Sequence, residues 1–126
     1  MCSIIGYSGN EIAAPIIVKG LKRMEYRGYD SVGVATKSDN QIKLKKGIGK
    51  VNEVNSKVQL DQLPGKIGIG HTRWATHGKV TDLNAHPHPS NSGKIAIVHN
   101  GIVENFEELK KQLEEDGYNF KSETDS

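Results

Sequence analysis

The segment IGIGHTRW, Ile67–Trp74, joins a strand pattern to a run of polar and aromatic side chains. Its two isoleucines alternate with glycines, and alternation with a period of two predicts a strand. The strand leads directly into His71, Arg73 and Trp74, so that groups able to bind or react lie at its end.

Other stretches also predict strands. Ser3–Tyr7 and Ser31–Thr36 are short apolar runs, and Gln41–Lys46 alternates apolar residues with lysines, which is typical of a half-exposed strand. Lys94–His99 contains four consecutive apolar residues and predicts a buried strand. A last extended run is expected at residues 118–120.

Two helices are predicted from apolar residues spaced by three or four positions. The first runs from Ala13 to Met24, with Pro15 tolerated only in its first turn, and the second runs from Val51 to Val58. Short strands therefore outnumber helices along the chain. This order predicts an α+β fold in which helices cover a sheet on one face.

The clearest helix signal begins at Asn105, a candidate N-cap. Glu108 lies three residues further on, as in a capping box, and Gly117 is a suitable residue to end the helix. A buried stripe is expected from three apolar residues at helical spacing: Phe106, Leu109 and Leu113.

Composition excludes several classes of protein. A chain of 126 residues is one domain at most, or part of one. The net charge of +2 is too small to indicate a nucleic-acid surface, and one cysteine excludes an internal disulfide framework. The longest apolar run, Ala13–Val18, is too short to cross a bilayer, and no secretory signal is present. We expect a soluble, cytoplasmic protein.

Cys2 is the only thiol and follows the initiator methionine. Removal of Met1 would give one residue both a thiol and an α-amine, whose ordinary pKa is about 7.7–8.0. N-terminal nucleophile hydrolases combine a nucleophile and a general base on one residue in this way. The alternative is an inert cysteine at the start of a strand.

Two other segments are candidates for chemistry. His71–Gly78 contains Arg73, whose guanidinium matches a carboxylate in a bidentate way, and Trp74, a large flat side chain. Asn100 and Gly101 follow a predicted strand, where a side-chain amide and a backbone N–H suit an oxyanion hole. A polar strand end and a plain Asn-Gly turn are the respective alternatives.

Two further segments favour structural interpretations. His86-Pro87-His88 lacks cysteine and acidic partners, so that a metal site is not expected. Lys43–Lys50 resembles a phosphate-binding or RNA-binding patch but lacks the Ser/Thr that a P-loop needs after Gly-Lys. A solvated lysine face is the preferred interpretation.

The motifs occur in an order that resembles a known family. The chain begins Met1-Cys2 and then contains YRGYDS, HTRWATHG, NAHPH, HNGIVEN and SETD, at Tyr26–Ser31, His71–Gly78, Asn84–His88, His99–Asn105 and Ser122–Asp125. This set is similar to the N-terminal class II glutaminase domain of glutamine–fructose-6-phosphate aminotransferases. The resemblance covers essentially all of the chain.

The resemblance implies a reaction on glutamine. Cys2 would attack the side-chain amide to form a thioester, while Asn100 and the N–H of Gly101 would hold the oxyanion. Glutamate and ammonia would result, and the ammonia would serve the conversion of fructose 6-phosphate to glucosamine 6-phosphate in amino-sugar synthesis. The residues implied for substrate binding and support are Arg73 for the α-carboxylate, Asp125 for the α-ammonium, Thr76 and His77 for the pocket wall, Trp74 for closure, and Arg27 beside Cys2.

The resemblance also implies an architecture, the four-layer αββα sandwich of Ntn hydrolases, incomplete in residues 1–126. The remainder of that domain and the sugar-phosphate isomerase domains would lie outside the chain, and the full enzyme would be a homo-oligomer. No metal, organic cofactor, nucleic acid or membrane is implied. We expect this part alone to be unstable or inactive.

One residue departs from the family pattern. The family usually has Gly after the catalytic cysteine, whereas this chain has Ser3, and a side chain there is expected either to crowd the pocket or to change the local backbone. The alternatives are a catalytically silent glutamine-binding module and the glutaminase portion of another class II amidotransferase. Turnover of bound glutamine would distinguish the enzyme from the silent binding module. The part of the protein that receives the ammonia would distinguish the aminotransferase from another class II amidotransferase.

Overall fold

An antiparallel sheet of four strands forms the centre of the computed structural model, which describes residues 1–75 and 79–126. Its strands are β1 (Ser3–Ser8), β2 (Ser31–Ser38), β3 (Gln41–Ile48) and β4 (Ile67–Arg73), in the order β1-β4-β2-β3. All three pairings are antiparallel. The four strand predictions at these positions are confirmed, with small differences at the ends.

Helix α1 (Ala13–Met24) packs on one face of the sheet, over glycines of β4. A Cβ atom at Gly68 would lie 2.8 Å from Ile17 Cδ1, and one at Gly70 would clash with Ile17 Cγ2. Bare backbone at these positions therefore lets the helix approach β4 closely. Pro15 lies in the first turn of α1, where its missing N–H has no intrahelical partner to lose.

The hydrophobic core lies between this face of the sheet and two helices. Helix α2 (Val51–Val58) packs Val54 against β3, where a Cβ at Gly47 would lie 3.0 Å from the valine Cγ1. The predicted α+β class, with helices on one face of a sheet, is confirmed. The buried apolar residues that these elements share include Ala13, Ala14, Ile17, Val18, Leu21, Val32, Val34, Val51 and Val54.

The opposite face of the sheet carries a polar segment rather than a helix. Gly33 of β2 leaves room for residues 86–87, since a Cβ there would lie 2.9 Å from Pro87 Cδ and would clash with the His86 carbonyl. The Lys46 ammonium on β3 donates to the carbonyls of Ala85 (2.6 Å) and Pro87 (3.1 Å). Lys46 therefore holds a loop instead of lying on a solvated lysine face.

Burial lowers the pKa of Lys46 to about 8, against a smaller raising effect of Asp82. The two carbonyl acceptors replace part of the hydration that the ammonium loses. The contacts between Lys46 and residues 85–87 are thus polar.

The predicted buried strand at Lys94–His99 is wrong in length and burial. Only β6 (Ala96–Ile97) is a strand, and it pairs with β5 (His88–Pro89), a strand that the sequence pattern did not predict. Ile95 is 61% exposed and Ile97 47% exposed. A pair of strands with two residues each cannot bury an apolar run. Hydrophobicity alone therefore overestimated the length and the burial of this strand.

Helix α3 (Phe106–Glu115) begins and ends where expected. Gly117, at φ +95°, donates to the Glu114 carbonyl (3.1 Å), and the Tyr118 N–H donates to the Leu113 carbonyl (3.0 Å), which together form a Schellman stop. The capping box is wrong, because Asn105 makes no side-chain cap hydrogen bond.

The predicted buried stripe of α3 is also wrong. Leu109 is 40% exposed and Leu113 is 38% exposed, and no residue of the helix is buried. With β3 and the β5–β6 pair, α3 borders an open, largely apolar groove of about 540 Å³. Residues 118–120 form no strand; Asn119 instead exchanges two hydrogen bonds of 2.8 Å with the Asn91 side chain. In the described part of the chain, no helix is long and apolar enough to cross a membrane.

The close approach of α1 to β4 predicts a specific sensitivity to side-chain volume. Gly70→Ala places a methyl group against Ile17 and 3.0 Å from Leu21 Cδ1, and we expect a loss of about 1–3 kcal/mol of unfolding free energy. Gly6→Ala is the matched control, since its Cβ meets nothing closer than 3.8 Å. Calorimetric unfolding of the purified protein compares the two; equal midpoints would contradict the packing argument.

Candidate active site

A polar cleft opens where the start of β1 meets the end of β4. Two further segments reach it, from residues 99–101 and from the last three residues of the chain. The cleft brings together six residues predicted from the sequence: Cys2, Arg73, Trp74, Asn100, Gly101 and Asp125. These residues are dispersed along the whole chain, so that the fold alone unites them.

Cys2 is positioned by the register of β1 on β4. Ser3 pairs with Thr72, which places the preceding cysteine beside the residues that follow β4. The Trp74 N–H donates to Cys2 Sγ (3.2 Å), and the thiol contacts the Trp74 carbonyl (3.5 Å). A backbone donor thus orients the only sulfur nucleophile in the chain.

Ser3 does not crowd the cleft, and the expectation that it would is wrong. Successive side chains of a strand point to opposite faces, so that Cys2 and Ser3 diverge. Ser3 is buried toward α1, with its hydroxyl 3.4 Å from the Met24 carbonyl. The residue that departs from the family pattern therefore faces the helix and leaves the sulfur accessible.

Asp30 organises the loop next to Cys2, a role that the sequence analysis missed. Its carboxylate accepts the Ala75 N–H and the Ser31 hydroxyl (3.1 Å), and its own N–H donates to the Arg73 carbonyl (3.0 Å). These contacts hold the backbone that carries the Trp74 N–H. Asp30 belongs to the motif YRGYDS, but Arg27 was the only residue of that motif to which a role was assigned.

Arg27 lies beside the residue before Cys2 rather than beside Cys2 itself. Its Nη2 contacts Met1 Sδ at 2.7 Å. Gly28 allows the N-terminus to pass close by, because a Cβ there would lie 2.7 Å from the Met1 carbonyl. These contacts place Arg27 and Gly28 next to Met1, the residue that precedes Cys2.

Asn100 is oriented by a buried histidine. His71 Nε2 lies 2.6 Å from Asn100 Oδ1, so that this nitrogen carries the proton and donates it. Burial lowers the pKa of His71 to about 4, which keeps the ring neutral near pH 7. Because its oxygen is engaged, the asparagine presents its NH₂ group as the end available for a substrate.

Gly101 sits where a side chain would not fit. A Cβ at this position would lie 2.8 Å from His99 Nε2, and the other ring nitrogen of His99 lies 3.1 Å from the Ser126 hydroxyl. The bare backbone therefore passes close to the ring beside the cleft. Asn100 and Gly101 consequently form one polar edge of the site.

Three histidine rings contact one another behind this edge, where His71 and His86 are buried and His88 is half-buried. The rings of His71 and His86 lie 4.4 Å apart at an interplanar angle of 30°, and those of His86 and His88 also lie 4.4 Å apart. Burial lowers the pKa of His88 to about 4 and that of His86 further still. Residues 1–75 and 79–126 contain no cluster of three or more His, Cys, Asp or Glu side chains able to hold a metal.

The two charged residues of the cleft are both held by backbone groups. Arg73 is buried and donates from Nη1 to the Lys79 carbonyl (3.0 Å), while the Asp125 carboxylate accepts the Val103 N–H (2.5 Å). Trp74 is half exposed above them and packs edge-on against Tyr29, with ring centroids 5.4 Å apart. The predicted residues Thr76 and His77 lie outside the described residues.

Comparison with known proteins adds sequence and structural relatives. A family described as "glutamine amidotransferase domain" matches residues 56–126. Proteins named glutamine–fructose-6-phosphate aminotransferase (isomerizing) from Methanococcus maripaludis and Pyrococcus horikoshii are 60% and 58% identical over 126 residues. The match covers 100% of this chain and 21% of each relative, so that the chain spans about a fifth of their length.

Solved structures agree with the sequence relatives on the fold. A glutamine phosphoribosylpyrophosphate amidotransferase from B. subtilis has a TM-score of 0.81 and 33% identity, covering 99% of this chain and 27% of that chain. A second structure, described as the allosteric regulatory enzyme of purine biosynthesis, has a TM-score of 0.82 and 33% identity, covering 97% and 27%. The expected class II amidotransferase fold is thereby confirmed.

The histidine stack predicts a loss of stability in mild acid. The unfolded chain protonates His71 and His88 near the ordinary pKa of about 6.5, whereas the folded chain does so only near 4. The unfolded state therefore binds more protons between these values. Stability should fall as the pH drops from about 6.5 toward 4, by up to about 1.4 kcal/mol per pH unit for His71 and by less for His88, whose partial exposure lets solvent screen its charge.

Thermal unfolding midpoints between pH 7.5 and pH 4.5 measure this effect. Carboxylates also contribute in acid, so His88→Asn is the diagnostic variant because it removes one titrating ring from the stack. We expect a shallower decline in the variant than in the wild type. An identical decline would show that the buried rings do not control the pH response.

Proposed function

The chain belongs to the glutamine amidotransferase family, and from this premise we propose that it is the N-terminal part of a glutamine–fructose-6-phosphate aminotransferase. Its cleft would release ammonia from glutamine. The observation that supports this most directly is the position of Cys2 Sγ in one cleft with Asn100 and Gly101. A nucleophile beside two oxyanion donors is the arrangement that acyl transfer requires.

The proposed reaction begins with processing of the N-terminus. Removal of Met1 converts the amide nitrogen of Cys2 into an amine that accepts the thiol proton. The sulfur then attacks the carboxamide carbon of glutamine, and the tetrahedral oxyanion is held by the Asn100 NH₂ group and the Gly101 N–H. The carbon–nitrogen bond breaks as ammonia leaves with a proton from the amine.

The second half of the reaction regenerates the enzyme. Water, activated by the same amine, adds to the thioester carbon, and the carbon–sulfur bond breaks to release glutamate. His71 remains neutral throughout, since burial keeps its pKa near 4. Its role is to keep the oxygen of Asn100 turned away from the developing charge.

Substrate recognition is assigned to the charged and aromatic residues at the cleft. Arg73 would bind the α-carboxylate and Asp125 the α-ammonium of glutamine, which are complementary charges. Trp74 would close over the substrate, and Thr76 and His77 would complete the pocket. Arg27 would support the N-terminal segment.

The proposal extends to the protein as a whole. The remainder of the glutaminase domain and the sugar-phosphate isomerase domains would follow Ser126, and the ammonia would be used to form glucosamine 6-phosphate from fructose 6-phosphate. The identity of 52–60% to aminotransferases, against 33% to the phosphoribosylpyrophosphate amidotransferase, supports this acceptor. The whole enzyme would act as a homo-oligomer without a metal or organic cofactor in its glutaminase part.

Labelling with a glutamine-analogue diazoketone tests the nucleophile. Intact-mass spectrometry of the full-length protein should show loss of Met1 and one adduct, mapped to Cys2. A version with an uncleavable N-terminal extension is the matched control and should remain unlabelled, because its Cys2 nitrogen is an amide. A processed chain that binds glutamine without labelling or turnover would favour the silent binding module.

Measurement on residues 1–126 alone uses the same reagent. We expect little or no labelling of this isolated chain. Apolar residues of the groove beside α3, such as Ile97 and Leu113, are half-exposed because no further element covers them in residues 1–126. Full labelling with a cooperative thermal transition would contradict that expectation.

Substitution of the oxyanion donor tests the mechanism. We expect Asn100→Ala to lower kcat for glutamine hydrolysis by about 10²–10³-fold, because a preorganised donor is lost where charge develops. The KM should change little, since the amino-acid end of the substrate binds elsewhere. Asn52→Ala, on the exposed face of α2, is the control and should behave as wild type. A loss in KM alone would contradict the assignment.

A further inference from the structure

Asn84 is a completely buried amide, 0% exposed, that lies outside the cleft lining. Its Nδ2 donates to the Lys79 carbonyl (3.0 Å), and its Oδ1 accepts the Glu123 N–H (2.7 Å). The two partners are backbone groups of opposite type, so that only one orientation of the amide satisfies both. The side chain therefore joins two backbone segments that are far apart in the sequence.

One of these backbone segments is hydrogen-bonded to Arg73 and the other leads into Asp125, the two proposed charged ligands for the substrate. The Lys79 carbonyl that accepts from Asn84 also accepts from Arg73 Nη1 (3.0 Å). Glu123 lies two residues before Asp125, whose carboxylate is tied to the Val103 N–H (2.5 Å). Asn84 is thus linked to the guanidinium through the Lys79 carbonyl and to the segment of the carboxylate through the Glu123 N–H.

The segment that contains Asn84 is attached to the sheet. The following residue, Ala85, accepts from the Lys46 ammonium, and the next one lies against the bare backbone of Gly33. On the other side, the Asp82 carboxylate accepts the Ile48 N–H (3.1 Å). The segment is consequently attached to β2 and β3, and Asn84 is a fixed point relative to the sheet.

We propose that Asn84 is a positioning residue that sets the spacing between Arg73 and Asp125 and so selects substrates with both an α-carboxylate and an α-ammonium group. The inference rests on the proposed glutaminase function. Two charged groups bind a zwitterion together only when their separation matches that of the substrate. Asn84 acts through this separation and does not touch the substrate.

An aspartate at this position tests the amide specifically. Asn84→Asp keeps the shape and the acceptor for the Glu123 N–H but removes the donor to Lys79. It also places a carboxylate oxygen where Nδ2 lies, 3.5 Å from Glu123 Oε2. The Lys79 carbonyl then loses a buried partner, which is costly. We expect the loop that holds Arg73 to shift relative to Asp125.

The experiment compares two substrates in the full-length protein: L-glutamine and glutaramate, which has the amide and the carboxylate but no α-amine. Wild type should prefer glutamine strongly in kcat/KM. In Asn84→Asp we expect the glutamine KM to rise by about tenfold or more, with kcat within about threefold. The preference for glutamine over glutaramate should shrink by a similar factor, because the substrate no longer gains from both charged groups.

Asn91→Asp is the matched control. Asn91 bridges the two backbone groups of Asn119 in the same way, at 2.8 Å each, but it lies outside the cleft. We expect its kinetic constants to equal those of wild type. If Asn84→Asp does not fold by circular dichroism, Asn84→Ser, which keeps a small donor and acceptor, replaces it with an intermediate effect expected.

The experiment distinguishes a failure of the proposed glutaminase function from a failure of the role given to Asn84. Wild type that does not turn over glutamine would overturn the proposed function, and this inference with it. Turnover in wild type with an unchanged substrate preference in folded Asn84 variants would overturn the inference alone. A fall in kcat at constant KM would do the same, since it would place Asn84 in the chemistry rather than in positioning.

Discussion

The antiparallel pairing of β1 with β4 is the constraint on which the rest of the structure depends. Its register, with Ser3 opposite Thr72, sets where the residue before β1 lies relative to the backbone after β4. A shift by one residue would turn Cys2 toward the helix and Ser3 toward the cleft, because side chains alternate along a strand. The hydrogen bond from the Trp74 N–H to the sulfur exists only in the observed register.

Two kinds of packing stabilise that pairing from opposite sides. On one face, apolar side chains of α1 approach β4 closely because glycines there leave the backbone bare. On the other face, the contacts are polar: the Lys46 ammonium binds carbonyl oxygens, and buried neutral imidazoles stack behind Asn100. The apolar side supplies stability, whereas the polar side provides directional contacts that hold the groups of the cleft.

Local periodicity predicted the elements that pack on the sheet and failed where packing is absent. The helix at Ala13–Met24 and the helix at Val51–Val58 were predicted correctly because their apolar stripes have a sheet to face. The stripe of α3 has the same spacing, yet Leu109 and Leu113 remain well exposed. The prediction of a buried strand at Lys94–His99 was wrong for the same reason. A hydrophobic pattern indicates that residues can be buried, but it does not indicate which part of the fold packs against them.

The amino-acid sequence shows which reactive groups are available: one thiol at Cys2, a guanidinium at Arg73, and an amide and a glycine at Asn100 and Gly101. The order of its motifs predicted the family. The sequence also determined element boundaries set by local signals, such as the glycine stop of α3. Three further facts come from the folded structure: Ser3 faces the helix, Asp30 holds the backbone beside the sulfur, and Asn84 joins two distant segments. These facts depend on register and on hydrogen bonds between residues remote in sequence, and no local pattern encodes which donor will meet which acceptor.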